Sequence, residues 1–223
     1  MNGEAPHNNA ESTGNLTRTP LSEQVRRIML DNLVRGRWQA GQRIVERRLA
    51  TELGVSQAPV REALRDLQAM RLVESSPHRG TRVGDLSPRR LCQVYPVRAA
   101  LERLAAELSL PRLAEDPSRL EEHTEGMRRA AAAEDVDAQV RHGVAFHREI
   151  LRAAGNAVLL PSWESLAVEL WTHLSLTRVR TGLHENARDH EPIIEAFRRR
   201  DPDVGRLLQL HILGYAPQPI GAS

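Results

Sequence analysis

One stretch of the chain, residues 46 to 83, constrains the fold more than any other: ERRLATELGVSQAPVREALRDLQAMRLVESSPHRGTRV. Gly54 ends a first short apolar helical pattern. Pro59 falls in the first turn of a second pattern, where its missing N–H removes no helical hydrogen bond. Apolar residues then recur at helical spacing: Val60, Ala63, Leu64 and Leu67. This spacing predicts a second helix with one buried face and one free face, joined to the first by a tight glycine turn.

The free face of the second helix is polar, and a hairpin pattern follows it. The polar side chains on this face are Gln57, Arg61 and Arg65. A strand pattern begins at Leu72, residues 78–80 form a turn, and residues 81–83 form a returning strand. A glycine turn between two helices, the second with exposed polar residues near its N-terminus, is typical of a helix-turn-helix that reads the DNA major groove. The hairpin makes it a winged helix-turn-helix; a helical hairpin with solvated arginines is the alternative.

The segment from Gly41 to Leu64 reads GQRIVERRLATELGVSQAPVREAL. It resembles the N-terminal domain of the GntR family of bacterial transcription regulators, whose pattern is G-x-x-L-x-E-x-x-L-A-x-x-L-G-V-S-x-x-P-V-R-E-A-L, with Ile44 in place of the first Leu. The resemblance implies that a double-stranded DNA operator is contacted by Arg47, Gln57 and Arg61, with His78 and Arg79 in the wing.

Physical chemistry ranks these contacts. Arg61 lies near the N-terminal end of the second helix, so its guanidinium can pair with O6 and N7 of guanine, whereas Gln57 favours adenine edges. Arg47 projects from the preceding helix and is better placed to bind phosphate. Ser56 can cap the second helix, and its hydroxyl with the backbone N–H groups there can hold another phosphate. The alternative for each arginine is a solvated surface charge.

Length and composition limit the other possibilities. The 223 residues suffice for one large or two small domains, and 3% aromatic with 40% apolar residues favours a helical protein. No apolar run is long enough to span a bilayer, so no membrane partner is expected. Residues 1–19 are polar, which predicts a disordered arm rather than a secretory signal. Cys92 is the single cysteine, which fits a reducing cytoplasm.

Charge divides the chain into two parts. Residues 20–84 hold 12 Arg against 7 acidic residues, whereas residues 85–223 hold 18 Arg against 20 acidic residues. The first part is therefore expected to contact the phosphate backbone of a nucleic acid, and the second part is not.

The predicted fold is mainly α, with an N-terminal winged helix-turn-helix (20–84), a C-terminal all-helical antiparallel bundle (85–216) and a short tail (217–223). The segment GDLSPRR, residues 84–90, breaks structure between the two domains. The first bundle helix is expected to bury one continuous apolar stripe and to end at Pro111; the stripe contains Leu91, Val94, Val97, Leu101, Leu104, Ala105 and Leu108. Five further helices are expected, at residues 118–133, 136–154, 158–180, 187–200 and 203–214.

Three histidines of the bundle lie on or beside apolar helical faces: His147, His190 and His211. Such histidines are commonly hydrogen-bonded core or surface residues. However, the segments YPVRAALERLAAELS, FHREILRAAGN and HEPIIEAFRRRDPDVGRLLQLH are similar to the FCD domain of the FadR and VanR branches, a helical bundle that binds small carboxylate effectors. The resemblance implies that these three histidines bind a divalent metal. The position of the family's fourth ligand, an Asp, is Gly143 here.

Three neutral histidine nitrogens could still bind zinc or nickel, with water or an effector completing the shell. His142 is a poor substitute for the missing Asp, because it projects about 100° away from Gly143 around the helix. Arg98 matches the Arg of the family's V-R-x-x-L-E segment and is the candidate clamp for an effector carboxylate. An Arg98–Glu102 pair on the helix surface is the alternative.

Together these features predict a cytoplasmic, homodimeric transcription regulator, a repressor rather than an enzyme. A small organic acid in the bundle would shift the population of dimer arrangements, and the link at residues 84–90 would transmit the change. Two alternatives stay open. One is a metal-dependent enzyme that uses the three histidines, and the other is an effector-blind DNA-binding protein.

Overall fold

A computed structural model describes residues 19–76, 80–178 and 182–217. The winged domain contains α1 (Leu21–Val34), β1 (Arg43–Ile44), α2 (Glu46–Leu53), α3 (Gln57–Ala69), β2 (Val73–Ser76) and β3 (Gly80–Val83). The bundle contains α4 (Pro88–Leu113), α5 (Ser118–Ala132), α6 (Val136–Ala153), α7 (Leu159–Glu164), α8 (Val168–Arg178), α9 (Leu183–Arg188), α10 (Glu191–Arg198) and α11 (Val204–Gly214). The predicted fold class, a winged helix-turn-helix followed by a helical bundle, is confirmed.

The winged domain is built around α3. Its four predicted apolar residues are all buried, and α1 packs against them. Gly54 ends α2 with a φ of 65°, a left-handed conformation that glycine adopts without strain. The strands form an antiparallel sheet in the order β1-β3-β2. The turn that carries His78 and Arg79 lies outside the described residues, as do the proposed arm and tail except for residues 19 and 217.

The first bundle helix differs from the prediction in length. Pro111 lies inside α4, which continues to Leu113. A proline this close to a helix end removes one backbone hydrogen bond and leaves little helix beyond it to disrupt. The buried side chain of Leu113 packs the last turn against the bundle.

The prediction that α4 buries one continuous apolar stripe is wrong in part. Val97, Leu104 and Leu108 are 50%, 42% and 44% exposed. The face that α6 and α11 cover instead contains Arg98 and Glu102, which are 4% and 0% exposed. The helix is therefore turned so that part of its apolar surface faces solvent in the monomer.

Two predicted helices are each divided. Ala167 has a φ of 54° and separates α7 from α8, because a left-handed residue cannot continue a right-handed helix. His190 occupies the N-cap position of α10 and so follows a break after α9. This break points the start of α10 into the bundle.

The link between the domains is shorter than predicted, since residues 88–90 form the first turn of α4. Asp85 Oδ1 accepts a hydrogen bond from Ser87 N at 2.8 Å, which orders the remaining segment. The domains also meet through an ion pair of 3.2 Å between Arg35 and Asp137. None of the described helices is both long and apolar enough to cross a bilayer.

Candidate DNA interface and ligand pocket

The outward face of α3 carries the candidate base-reading side chains. Gln57, Arg61 and Arg65 are exposed, and so is Arg47 on α2. Arg61 Nε donates to Glu46 Oε2 at 3.3 Å, and the Arg61 side chain is 53% exposed. A surface pair of this kind contributes about 0–1 kcal/mol, so the guanidinium can exchange this partner for a base edge.

The N-terminus of α3 is open to a phosphate. Ser56 occupies the N-cap position, but its side chain makes no capping hydrogen bond, unlike the sequence expectation. The hydroxyl is exposed, and the first turn of α3 contains no acidic residue that would repel an anion. The exposed N–H groups of a helix N-terminus favour negative charge.

The bundle brings together the three histidines that the sequence singles out. His147 comes from α6, His190 from the start of α10 and His211 from α11. Their ring centroids lie 4.5 to 5.5 Å apart. One ring nitrogen from each lies within 4.8 Å of the others, and His147 and His190 are buried. This spacing allows a single divalent ion to contact all three.

Two of the histidines have an oxygen atom close to Nδ1. His190 Nδ1 lies 2.8 Å from the carbonyl oxygen of Asn186 and donates to it, while His190 Nε2 is buried without a hydrogen-bond partner among the described residues. His147 Nδ1 lies 2.5 Å from Glu102 Oε2, although the two atoms are not well aligned for a hydrogen bond. In both rings Nε2 is therefore the nitrogen left for a ligand.

Burial keeps the three rings neutral. Burial lowers the pKa of His190 to about 3. Burial also lowers the pKa of His147 and of His211. A neutral imidazole retains the lone pair with which it binds a metal ion.

Sequence reasoning missed the role of Glu102, which is fully buried beside these rings. Its Oε1 accepts from Arg98 Nε at 2.7 Å and from Trp163 Nε1 at 2.6 Å. Burial alone would raise the pKa of Glu102, but His147 and Arg98 outweigh it and lower the pKa, so the carboxylate is ionised. The Arg98–Glu102 pair thus forms in the core and not on the helix surface. The i,i+4 spacing of Arg98 and Glu102 is evident in the sequence, but the burial of the two side chains is not.

The wall of the pocket presents further polar groups. Arg98 Nη1 donates to Thr172 Oγ1 at 3.0 Å. Gln139 Nε2 donates to Asn186 Oδ1 at 2.7 Å and to the carbonyl of Leu183 at 3.2 Å. These two acceptors fix the amide orientation, so Gln139 Oε1 is a buried acceptor without a partner among the described residues.

The cavity between these groups is small, about 30 Å³, which holds an ion or a water but not an organic acid. Gly143 lines it one helical turn before His147. A Cβ added at Gly143 would lie 3.5 Å from Met127 Sδ, an ordinary contact, so packing does not require glycine there.

Comparison with known proteins covers both domains. Residues 21–83 match the family described as "Bacterial regulatory proteins, gntR family", and residues 93–213 match the FCD domain. The chain is 36% identical over 203 residues to the "Probable D-xylose utilization operon transcriptional repressor" of Paenarthrobacter nicotinovorans, covering 91% of this chain and 90% of that one. It is 28% identical over 180 residues to the gluconate operon transcriptional repressor of Bacillus subtilis (strain 168), covering 76% of this chain and 72% of that one.

Solved structures share the fold. McbR/YncC of E. coli has a TM-score of 0.69 at 23% identity and covers 88% of this chain and 95% of its own. A GntR transcriptional regulator of Rhodococcus sp. RHA1 has a TM-score of 0.64 at 21% identity, covering 92% and 100%. The chain therefore belongs to the GntR family, carries an FCD effector-binding domain behind its DNA-binding domain, and is a DNA-binding transcription regulator rather than an enzyme.

Proposed function

We propose that this regulator is a cytoplasmic repressor that binds its operator as a homodimer and responds to a small hydroxylated carboxylate in the bundle pocket. The observation that carries the effector class is the presence, in one cavity, of Arg98 and of the acceptor Gln139 Oε1, which has no partner in the part of the chain that the structure describes. The relatives named for D-xylose and gluconate operons are consistent with a sugar acid or a similar compound.

Arg98 and Gln139 would bind different parts of one ligand. The guanidinium of Arg98 is oriented by Glu102 and Thr172, and its fork of donors fits a carboxylate. Gln139 Oε1 needs a donor, which a carboxylate cannot supply and a hydroxyl can. A hydroxylated acid satisfies both groups, whereas an unsubstituted fatty acid leaves Gln139 unpaired.

The effector must bind a more open conformation of the bundle, because the cavity of about 30 Å³ is too small for it. An effector that binds the open state more tightly shifts the population toward it. The bundle meets the winged domain through Arg35 and Asp137 and through the short link that contains Asp85. Opening of the bundle would therefore change the placement of the two α3 helices on the operator.

A divalent metal, zinc or nickel, fits the three histidines. The rings are neutral, their nitrogens lie within reach of one ion, and the buried Nε2 of His190 has no partner among the described residues. Gly143 contributes no ligand, so a water or the effector would complete the shell. Bound metal would supply a positive charge that attracts the effector carboxylate.

The exposed face of α4 supports a homodimer. Val97, Leu104 and Leu108 lie on this face and are exposed in the monomer. A two-fold interface buries the same patch of both subunits, which would remove this apolar surface from water. Two α3 helices about 34 Å apart are needed to read two operator half-sites.

The effector class can be tested by fluorescence anisotropy on an operator selected from a random duplex library. We expect gluconate to change operator affinity, and D-xylose and hexanoate at equal concentration to leave it unchanged. Gln139→Leu should reduce the preference for gluconate over hexanoate. An equal response of the wild type to hexanoate would refute the role of the ligand hydroxyl. No response to any acid would leave an effector-blind DNA-binding protein.

A further inference from the structure

We propose that Glu102 holds His147 in the tautomer that keeps Nδ1 protonated and presents Nε2 to the three-histidine site. In this way Glu102 supplies, from outside the set of ligands, the carboxylate that Gly143 does not provide. The consequence for metal affinity rests on the metal site proposed above, whereas the tautomer does not.

The two carboxylate oxygens of Glu102 have different partners. Oε1 accepts from Arg98 Nε and from Trp163 Nε1, at 2.7 and 2.6 Å. Oε2 therefore remains for His147 Nδ1, which lies 2.5 Å away, although the two atoms are not aligned as a regular hydrogen bond. The side chains of Glu102 and His147 are 0% and 5% exposed, so water does not compete for this contact.

Two buried polar atoms 2.5 Å apart must share a proton, because their lone pairs would otherwise repel each other. The other oxygen of Glu102 accepts from the guanidinium of Arg98 at 2.7 Å, so the carboxylate is the acceptor and the proton lies on His147 Nδ1. The lone pair of His147 is then left on Nε2. His190 is held in the same way, because its Nδ1 donates to the carbonyl of Asn186 at 2.8 Å. Two elements of the bundle thus orient two lone pairs before any ligand arrives.

A carboxylate that accepts from a ligand imidazole raises the basicity of that imidazole and restricts its rotation. Both effects favour metal binding at a site with only three protein ligands. Glu102 also joins His147 to Arg98, so the guanidinium that faces the effector and the imidazole that faces the metal share one partner.

The test uses the full chain in two states. In the first, a chelator has removed any bound metal; in the second, the protein is titrated with Zn²⁺. Long-range ¹H–¹⁵N NMR of the histidine rings assigns the protonated nitrogen of His147, with His190 as an internal reference. Zn²⁺ affinity is measured by competition with a chromophoric chelator. The variant is Glu102→Gln, and the matched control is Glu107→Gln, which removes the charge of a surface Arg–Glu pair on the same helix.

We expect the metal-free wild type to carry its His147 proton on Nδ1, and Glu102→Gln to lower Zn²⁺ affinity by about 10–100-fold. Glu107→Gln should leave both readouts unchanged. A His147 proton on Nε2 in the wild type would overturn the proposal, and this measurement needs no folded variant. Equal Zn²⁺ affinity of the wild type and a folded Glu102→Gln variant would also overturn it. If the wild type binds no Zn²⁺ but His147 carries its proton on Nδ1, the metal site fails and the role of Glu102 in the tautomer stands.

Discussion

Arg98 and Glu102, one turn apart on α4, form an ion pair of 2.7 Å whose side chains are 4% and 0% exposed. The same helix carries a second pair at the same spacing, Arg103 with Glu107 at 2.9 Å, with side chains 50% and 43% exposed. Helix α4 therefore carries a buried and an exposed version of the same interaction.

The two pairs should differ sharply in their effect on stability. Arg98→Gln leaves a buried carboxylate without its cation, which costs about 3–5 kcal/mol in the free energy of unfolding. Arg103→Gln should cost about 0–1 kcal/mol, because solvent screens the exposed pair. Urea unfolding followed by circular dichroism compares the two variants. Equal losses would show that the burial of Arg98 does not govern its contribution.

Arg61 and Arg47 of the proposed DNA interface should affect operator binding differently. Arg61→Ala should weaken binding to the preferred operator by about 1–3 kcal/mol and relax specificity at one base pair. Arg47→Ala should weaken binding to all duplexes alike and reduce the slope of log affinity against log salt by about one. Anisotropy titrations over a range of salt and operator variants measure both effects.

Arg119→Ala in the bundle is the charge-matched control, since Arg119 is an exposed arginine far in sequence from α3 and pairs only weakly with Glu122 at the surface. It should leave operator affinity unchanged. Loss of binding in this variant equal to the loss in Arg61→Ala would mean that overall charge, and not the face of α3, determines recognition.

Gly143→Asp should add a carboxylate ligand one turn before His147, at a position where a Cβ makes only an ordinary contact. We expect tighter Zn²⁺ binding, and each tenfold gain would add about 1.4 kcal/mol to the stabilisation by metal. Gly143→Ala is the control, because it adds helix propensity of about 1 kcal/mol without a ligand. Thermal unfolding with and without Zn²⁺ separates the two effects. The same metal-dependent shift in both variants would count against the three-histidine site.

Leu104→Glu should disrupt the proposed homodimer, because it places a charge in the apolar face of α4 that a two-fold contact would bury. Val158→Glu is the control, since Val158 is 71% exposed and lies just before α7, outside helix α4. Size-exclusion chromatography with light scattering measures the mass of each variant, and operator affinity should fall with the loss of the dimer. A dimeric Leu104→Glu variant would exclude this face as the interface.

Helix α3 could be predicted from its residues because its determinants are local. The left-handed Gly54, the N-cap position of Ser56 and the apolar spacing from Val60 to Leu67 all act within α2 and α3. Such local signals place a helix and choose its buried face without knowledge of the rest of the fold. The two strands of the wing could be predicted from equally local signals, since an alternating pattern and a turn define a hairpin.

The bundle was predictable only in outline. The helix from residue 158 to 180 carries continuous apolar spacing, but Ala167 adopts a left-handed conformation that no local signal indicates. The face of α4 was misjudged for a related reason. Apolar residues lie on more than one side of that helix, and the packing of α6 and α11 decides which side is covered.

The sequence by itself determined the helix-turn-helix and the family, because both depend on residue types at short, fixed spacings, whereas the three histidines were singled out by the resemblance to the family. Only the tertiary structure decided that Glu102 is buried against His147, since this contact joins α4 to α6 across 45 positions of the chain. A buried carboxylate is stable only where cations and donors surround it. Arg98 lies on the same helix as Glu102, but Trp163 on α7 and His147 on α6 reach Glu102 only when the bundle has folded.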